Sequence, residues 1–396
     1  MIADKMKSFV AGSSVIRAMF EEGKKMAAVY GKENVYDFSL GNPSLEAPSS
    51  VKEAAISILQ NTAPNDLHGY PNNAGFEDVR EALAQQTNRL HHTNYTKDNF
   101  VMTVGAAAAM NIIFKSILNP GDEVIVFAPY FSEYKAYVGN YDGVLVEVQP
   151  DITTFQPNME EFEQKVTAKT KAVIINTPNN PTGVIYSADT LTKIGAILTK
   201  KQEEIGHPIY LVSDEPYREL FYGDFDIPFV PDFFPNTFIA YSYSKSLSLP
   251  GERIGHVTVH SEADGFDDIV SALTVANRIS GFVNAPTLWQ KVIPFVMDEK
   301  VNIDVYRKNR DDLYNMMIEL GYTCVKPDGA FYLFPQSLIP DDKAFCEAAK
   351  EFRLLLVPGS SFGCPGHFRM AYCVENTTIQ NARESLRLLK EKYTKE

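Results

Sequence analysis

The sequence is short of what a disulfide scaffold, a metal protein or a membrane protein needs. It has four cysteines in 396 residues, Cys324, Cys346, Cys364 and Cys373, all in the last quarter and none in a Cys-x-x-Cys pair. That usage fits free, mostly buried thiols in a reducing compartment. The seven histidines include His91-His92 but no His-Glu-x-x-His, so no metal site is expected. No apolar run approaches the roughly 18–20 residues of a bilayer-spanning helix. The N-terminal MIADKMKSFVAGSSVIRAMF lacks an apolar signal core. Positive charge is in deficit as well: 37 Lys and Arg stand against 50 Asp and Glu, a formal net charge of -13. Such a surface repels phosphate backbones and anionic lipid, which sets nucleic acid and membranes aside as partners. A cytoplasmic enzyme is the expectation.

What is present is ordinary globular material, 45% hydrophobic and 22% charged. At roughly 100–200 residues per domain, the length predicts about two domains. Segment 14–30 has helical spacing, with Val15, Ile16, Met19 and Phe20 on one face. From residue 100 onward, short apolar runs alternate with helical patterns. FVMTV (100–104), VIVFAP (124–129), KAVIIN (171–176), PIYLVSD (208–214), TFIAYSYS (237–244) and HVTVH (256–260) read as strands. Helical stretches such as AAAAMNIIFKSIL and 187–201 lie between them. Strands separated by helices argue for a mostly parallel sheet sandwiched by helices, an α/β fold. Ligands gather at the carboxyl ends of such strands. Gly105, Asn180, Asp214 and Lys245 each fall at or just after a strand end, which predicts one shared site.

After residue 286 the pattern predicts a long helix (about 286–318), short strands around YTCVK, AFYLFP and RLLLVPG, and a last helix from about 377. This reads as a smaller α+β domain. The expected division is a large domain at 46–288 and a discontinuous small domain at 1–45 and 289–396.

Five stretches carry chemistry. In SYSKSLSLPGERIG (242–255), small hydroxyl residues let Lys245 approach a ligand, and Arg253 offers a planar fork suited to phosphate. The alternative, a serine-rich surface loop, sits badly between two strand-like runs. In SDEPYREL (213–220), Asp214 ends a buried strand and needs a cationic partner to offset desolvation. An ordinary strand-end Asp with a core Tyr217 is the bland reading. NTPNNPTGVIY (176–186) is a turn-forming stretch containing Asn180, weak in isolation. TVGAAAAMN (103–111) places Gly105 at a strand-to-helix junction, where backbone N–H groups face an anion. It is neither Gly-x-Gly-x-x-Gly nor a Walker loop. In VPGSSFGCPGHFRMAY (357–372), Arg369 lies on a predicted strand between apolar residues, and a buried arginine needs an anion or a salt bridge.

The lysine stretch, from Ser242 to Gly255, resembles at every position the lysine motif of class I and II aminotransferases, which are fold-type-I pyridoxal-phosphate enzymes. The resemblance spans roughly residues 35–375. It implies pyridoxal 5'-phosphate as cofactor, held as a Schiff base by Lys245. It also implies Ser242 and Arg253 on the phosphate, Asp214 on the ring nitrogen, and Tyr217 and Asn180 on the ring hydroxyl oxygen. Gly105, Ala106 and Ala107 match the phosphate loop, with one departure: relatives often carry Ser or Thr where Ala107 stands. Phe131, in APYFSEY, matches the ring that stacks on the pyridine. Tyr70, in HGYPNNAG, matches a tyrosine reaching the phosphate of a neighbouring subunit, which implies a homodimer. Arg369, Asn180 and Gly41 match the groups at the substrate α-carboxylate. The partners implied are an amino acid and a 2-oxo acid. Aspartate with 2-oxoglutarate is the leading pair, with Arg278 the nearest candidate for a distal carboxylate. A carbon–sulfur lyase would share all the cofactor residues. A more distant rival is a serine hydrolase, because GSSFG (359–363) satisfies Gly-x-Ser-x-Gly.

Overall fold

A computed structural model describes residues 2–11 and 15–394. Tyr36–Asp37 forms a short strand, β1. Seven runs then build the central sheet: Phe100–Thr103 (β2), Glu123–Phe127 (β3), Val144–Val148 (β4), Thr170–Asn176 (β5), Tyr210–Asp214 (β6), Thr237–Ser242 (β7) and Gly255–Val259 (β8). Their order is β2-β8-β7-β6-β5-β3-β4, and β8 alone runs antiparallel to its neighbours. The other six therefore end at one edge.

Alternation along the strands explains why helices cover both faces. Val124 and Val126 of β3 enter one core cluster, while Ile125 and Phe127 enter another. Ala172 and Ile174 of β5 divide from Val173 and Ile175 in the same way. Helices Ala106–Ile117 and Phe266–Ile279 cover the first face through Ile112, Ile113 and Leu273. Helix Ala188–Ile205 covers the second through Leu191, Ile194 and Leu198. Each fully buried Val, Ile or Leu contributes roughly 1.5–3 kcal/mol, so the strand ends rest on a rigid support.

The later elements are smaller. Tyr332–Leu333 (β9), Leu354–Leu355 (β10), Val357–Pro358 (β11) and Phe368–Ala371 (β12) follow in order. β11, β12 and β9 form an antiparallel sheet, and β10 pairs in parallel with β1. One further cluster joins Phe38 to Tyr306, Leu313, Phe331, Met370 and Leu386, tying the N-terminal stretch to the C-terminal part.

Local differences from the sequence reading have physical causes. The expected strand to residue 244 stops at Ser242, whose side chain accepts from Ser244 N and starts the helical turn Tyr243–Ser246. Lys245 therefore sits on a helical turn just past the end of β7. The expected long helix is two, Thr287–Val296 and Ile303–Glu319. Pro294 lacks an N–H for the first, and the Asn302 side chain caps the second through Asp304 N. YTCVK forms no strand: Tyr322 N closes the preceding helix on Met317 O. The edge strand β4 had no place in the sequence reading; Glu147 interrupts its apolar run. Val15–Tyr30 is helical, and Met19 and Met26 pack with Val35 and Leu355. Ser14 and the side chains of Val15, Ile16 and Phe20 lie outside the described residues.

Candidate active site

The carboxyl ends of β5, β6 and β7 supply the centre of the site. β5 and β6 are neighbours, so Asn176 pairs across the ladder with Asp214. Asn176 Nδ2 donates to Asp214 O at 2.7 Å, and its Oδ1 accepts from Asn180 N at 2.7 Å. That bracket fixes the Asn-Pro turn over the Asp. The Asp214 carboxylate is buried. Its Oδ2 accepts from Tyr134 Oη at 2.6 Å, and its Oδ1 has no hydrogen-bond partner. Burial pushes the Asp214 carboxyl up to about 7; the Tyr134 bond opposes this and Glu215 adds to it.

Lys245 is brought alongside by the turn after β7. Its Nζ donates to Gly41 O at 2.9 Å and lies 5.5 Å from the centre of the Phe331 ring. Burial lowers the ammonium to about 8, with Arg253 and Arg369 adding to the fall and Cys373 opposing it.

A cradle lies at the end of β2. Gly105 has φ +90°, and a Cβ there would come within 2.9 Å of Arg253 Nη2. Across the sheet, a Cβ at Gly255 would meet Tyr241 O at 2.2 Å and Gly105 Cα at 3.0 Å. Helix Ala106–Ile117 begins at Gly105, so the N–H groups of Ala106 and Ala107 belong to its unpaired first turn. Arg253 is exposed, with Nη1 on Pro250 O and Nη2 on Val104 O. Ser242 Oγ lies 2.7 Å from Ser244 Oγ.

Arg369 is buried on β12, 2% exposed. Nη1 donates to Asn180 Oδ1 at 3.0 Å and Nη2 to Ser39 O at 2.6 Å, while Nε has no partner. Among the described residues no carboxylate pairs with it. Tyr332 and Phe362 lie 4.6 and 5.0 Å from its guanidinium carbon. Tyr217 Oη meets Tyr332 Oη at 2.9 Å. A Cβ on Gly41 would come within 2.0 Å of Tyr332 Oη, so only glycine fits there.

The structure therefore brings together Gly41, Asn180, Asp214, Tyr217, Lys245 and Arg369, with Gly105 and Arg253 tied to each other beside them. Phe131 is partly buried, edge-on to Tyr134 at 5.7 Å. Tyr70 is 91% exposed and joins none of these contacts within one chain. Arg278 is exposed on the last turn of Phe266–Ile279. Tyr134, Asn176 and Tyr332 were not singled out in the sequence. For Tyr134 the available signal was its place three residues after Phe131; for Asn176, its place at the end of a buried strand. GSSFG is no nucleophile elbow: β11 leads into a 3-10 turn at Gly359–Phe362 and then into β12, with no α-helix between.

The residues fit pyridoxal 5'-phosphate. A buried carboxylate oxygen without a partner awaits a cationic N–H. A glycine cradle with an arginine suits a phosphate, and an amine with a lowered pKa suits an aldehyde. A cavity of about 660 Å³, lined by His91, Arg218, Glu219, Tyr241 and His256, lies elsewhere and includes none of these groups. Chemistry, not volume, marks the site.

Comparison with known proteins agrees. Residues 33–386 match the family described as aminotransferase class I and II. The chain is 31% identical over 358 residues to the aspartate/prephenate aminotransferase of Thermus thermophilus, covering 87% of this chain and 88% of that one. It is 30% identical over 377 residues to the aspartate aminotransferase of Thermotoga maritima, covering 94% and 95%. An amino transferase structure from Eubacterium rectale superposes with a TM-score of 0.97 at 43% identity, covering 100% of both chains. The aspartate aminotransferase structure from Thermus thermophilus with maleate gives 0.87 at 27%, covering 98% and 99%.

Proposed function

Because the chain belongs to the class I and II aminotransferase family, we propose that its amino-group transfer runs through Lys245, Asp214 and Arg369 at the carboxyl edge of the central sheet. The protein is a pyridoxal 5'-phosphate-dependent aminotransferase that moves an amino group from an amino acid to a 2-oxo acid. The bound cofactor supplies an electron sink for the bond broken at the substrate Cα. The observation that carries the residue assignment is the unpartnered Asp214 Oδ1 on the sheet edge that also presents Lys245.

In this reading Asp214 holds the ring nitrogen protonated, and Asn180 and Tyr217 hold the ring oxygen. Gly105, Ala106, Ala107, Ser242 and Arg253 hold the phosphate. Ala107 lends only its N–H, having no hydroxyl. Phe131 covers the ring. Arg369, with Asn180 and Gly41, orients the α-carboxylate by a planar fork. Lys245, freed by the incoming amino group, would take the proton from the substrate Cα and return it to the cofactor carbon on the other side of the shared nitrogen. With its ammonium lowered to about 8, a useful fraction of that amine is neutral near physiological pH.

Aspartate with 2-oxoglutarate is the proposed pair, supported by the names of relatives in Thermotoga maritima and Geobacillus stearothermophilus. Arg278 points to the same pair only if it serves a neighbouring subunit's site, since it is exposed within one chain. A homodimer is proposed on Tyr70, whose ring is left bare in the monomer. We place the domain division in the 297–302 break rather than at 289, because Thr287–Val296 packs against Ser49–Asn61 and Glu77–His91. A cytoplasmic location fits the free cysteines, and among the described residues no helix is long and apolar enough to cross a membrane.

A donor screen against 2-oxoglutarate, following glutamate formed, tests the substrate. Aspartate should lead the screen; turnover confined to apolar donors would overturn it. Release of ammonia without any 2-oxo acid present would point instead to lyase chemistry.

A further inference from the structure

Tyr332 stands where three parts of the site meet. β9 pairs antiparallel with β12 so that Tyr332 lies opposite Ala371. Arg369 is two residues along β12 from Ala371, so it shares that face and lies diagonal to Tyr332. The register thus lays the Tyr332 ring 4.6 Å from the Arg369 guanidinium carbon. Its hydroxyl reaches the other way, to Tyr217 Oη at 2.9 Å, and packs on the backbone of Gly41. The carbonyl of Gly41 accepts from Lys245. Tyr332 itself is 2% exposed, so its position is fixed by packing.

We propose that Tyr332 is a positioning residue with two separable parts: its hydroxyl donates to Tyr217 and frees the Tyr217 proton for the cofactor ring oxygen, and its ring face sets the plane of the Arg369 fork. The first part follows from counting protons. A tyrosine hydroxyl has one proton and two lone pairs. Tyr217 donates to a ring oxygen only if its bond to Tyr332 is one it accepts. Tyr332 is then the donor, and a chain of two hydroxyls ends on the ring oxygen, each bond polarising the next. The second part follows from the flat π-face under a planar cation, an arrangement whose strength grows when both are dry. The proposal rests on the cofactor reading given above.

Two variants separate the parts. Tyr332→Phe keeps the ring and removes the donor. The ring oxygen then holds more tightly the proton it shares with the Lys245 nitrogen. The pH midpoint of the lysine-bound cofactor absorbance should rise by about 0.5–1 unit, the worth of one hydrogen bond. kcat should fall about 3- to 10-fold while KM stays within about twofold. Tyr332→Leu also removes the ring, and KM for both amino acid and oxo acid should rise about tenfold. In a Tyr217→Phe background, Tyr332→Phe should move the midpoint no further. A Tyr332→Phe titration superposed on that of the wild type, or an equal shift in the Tyr217→Phe background, overturns the relay. An unchanged KM in Tyr332→Leu overturns the role of the ring. A wild-type protein with no pH-dependent absorbance of bound pyridoxal phosphate would instead overturn the cofactor reading beneath both.

Discussion

Tyr134 donates to Asp214 Oδ2 across 2.6 Å, while Asp214 Oδ1, equally buried, is left without a donor. In the cofactor-free protein the carboxyl is driven up to about 7 from an ordinary 3.8, mainly by burial. The folded value lies above the unfolded one. Its contribution to stability is therefore complete below about pH 4 and is lost as pH rises through about 7, at a slope of about 1.4 kcal/mol per unit. Asp214→Asn removes that dependence. Thermal midpoints of the cofactor-free protein, measured from acid to neutral pH, should fall more steeply for the wild type than for the variant. Parallel curves would mean that Asp214 is not the group under strain.

How much of this arrangement a reader could take from the sequence depends on the range of each contact. The lysine stretch was legible because Ser242, Lys245 and Arg253 are close in sequence and their types are chemically marked. The strand ends were legible because β-branched apolar runs stop at Gly105 and Asp214. Tyr134 and Asp214 are separated by 80 residues, and Tyr217 and Tyr332 by 115. Those pairs depend on sheet order and on the β9–β12 register, which no local pattern encodes. The expected single helix over about 286–318 fails for a different reason: Pro294 and the Asn302 cap on Asp304 N are local signals, masked by helical spacing that runs through both halves.

Lys245 titrates the other way. Burial brings its ammonium down to about 8 from 10.5, so the folded value is depressed. A depressed amine costs folded stability progressively as pH falls from about 10.5 to about 8, and it becomes a nucleophile as pH rises through about 8. The rate at which cofactor-free protein captures pyridoxal phosphate should climb with pH around 8 and level off above it. Lys245→Ala should lose about 10²–10⁴-fold in turnover and fix no label after borohydride. Label found on another lysine would remove Lys245 from its assigned role.

Arg369 holds Asn180 Oδ1 and Ser39 O and keeps Nε free. Truncation to alanine would leave both acceptors unsatisfied, mixing lost folding with lost binding. Arg369→Lys is the cleaner probe: it keeps the charge but not the fork. KM for amino acid and for oxo acid should rise together, about 10- to 100-fold, with a smaller change in kcat. Loss of kcat alone would show that the arginine acts on the reacting bond rather than on the carboxylate.

Tyr70 offers a test of assembly and site together. It is 91% exposed, more than Val29 at 73% or Phe295 at 70%. If it completes the phosphate site of a second subunit, then Tyr70→Ala damages the site across the interface, whereas Lys245→Ala damages its own. In a mixed dimer both lesions fall on one site: the Lys245→Ala subunit receives the missing Tyr70 from its partner. The other site keeps its own lysine and receives an intact tyrosine. Unfolding and refolding the two proteins together at equal amounts should restore about a quarter of wild-type sites, above the sum of the two parents. Activity that never exceeds that sum would place Tyr70 in its own subunit's site or outside any site, and would leave the bare ring to be explained by packing between subunits alone.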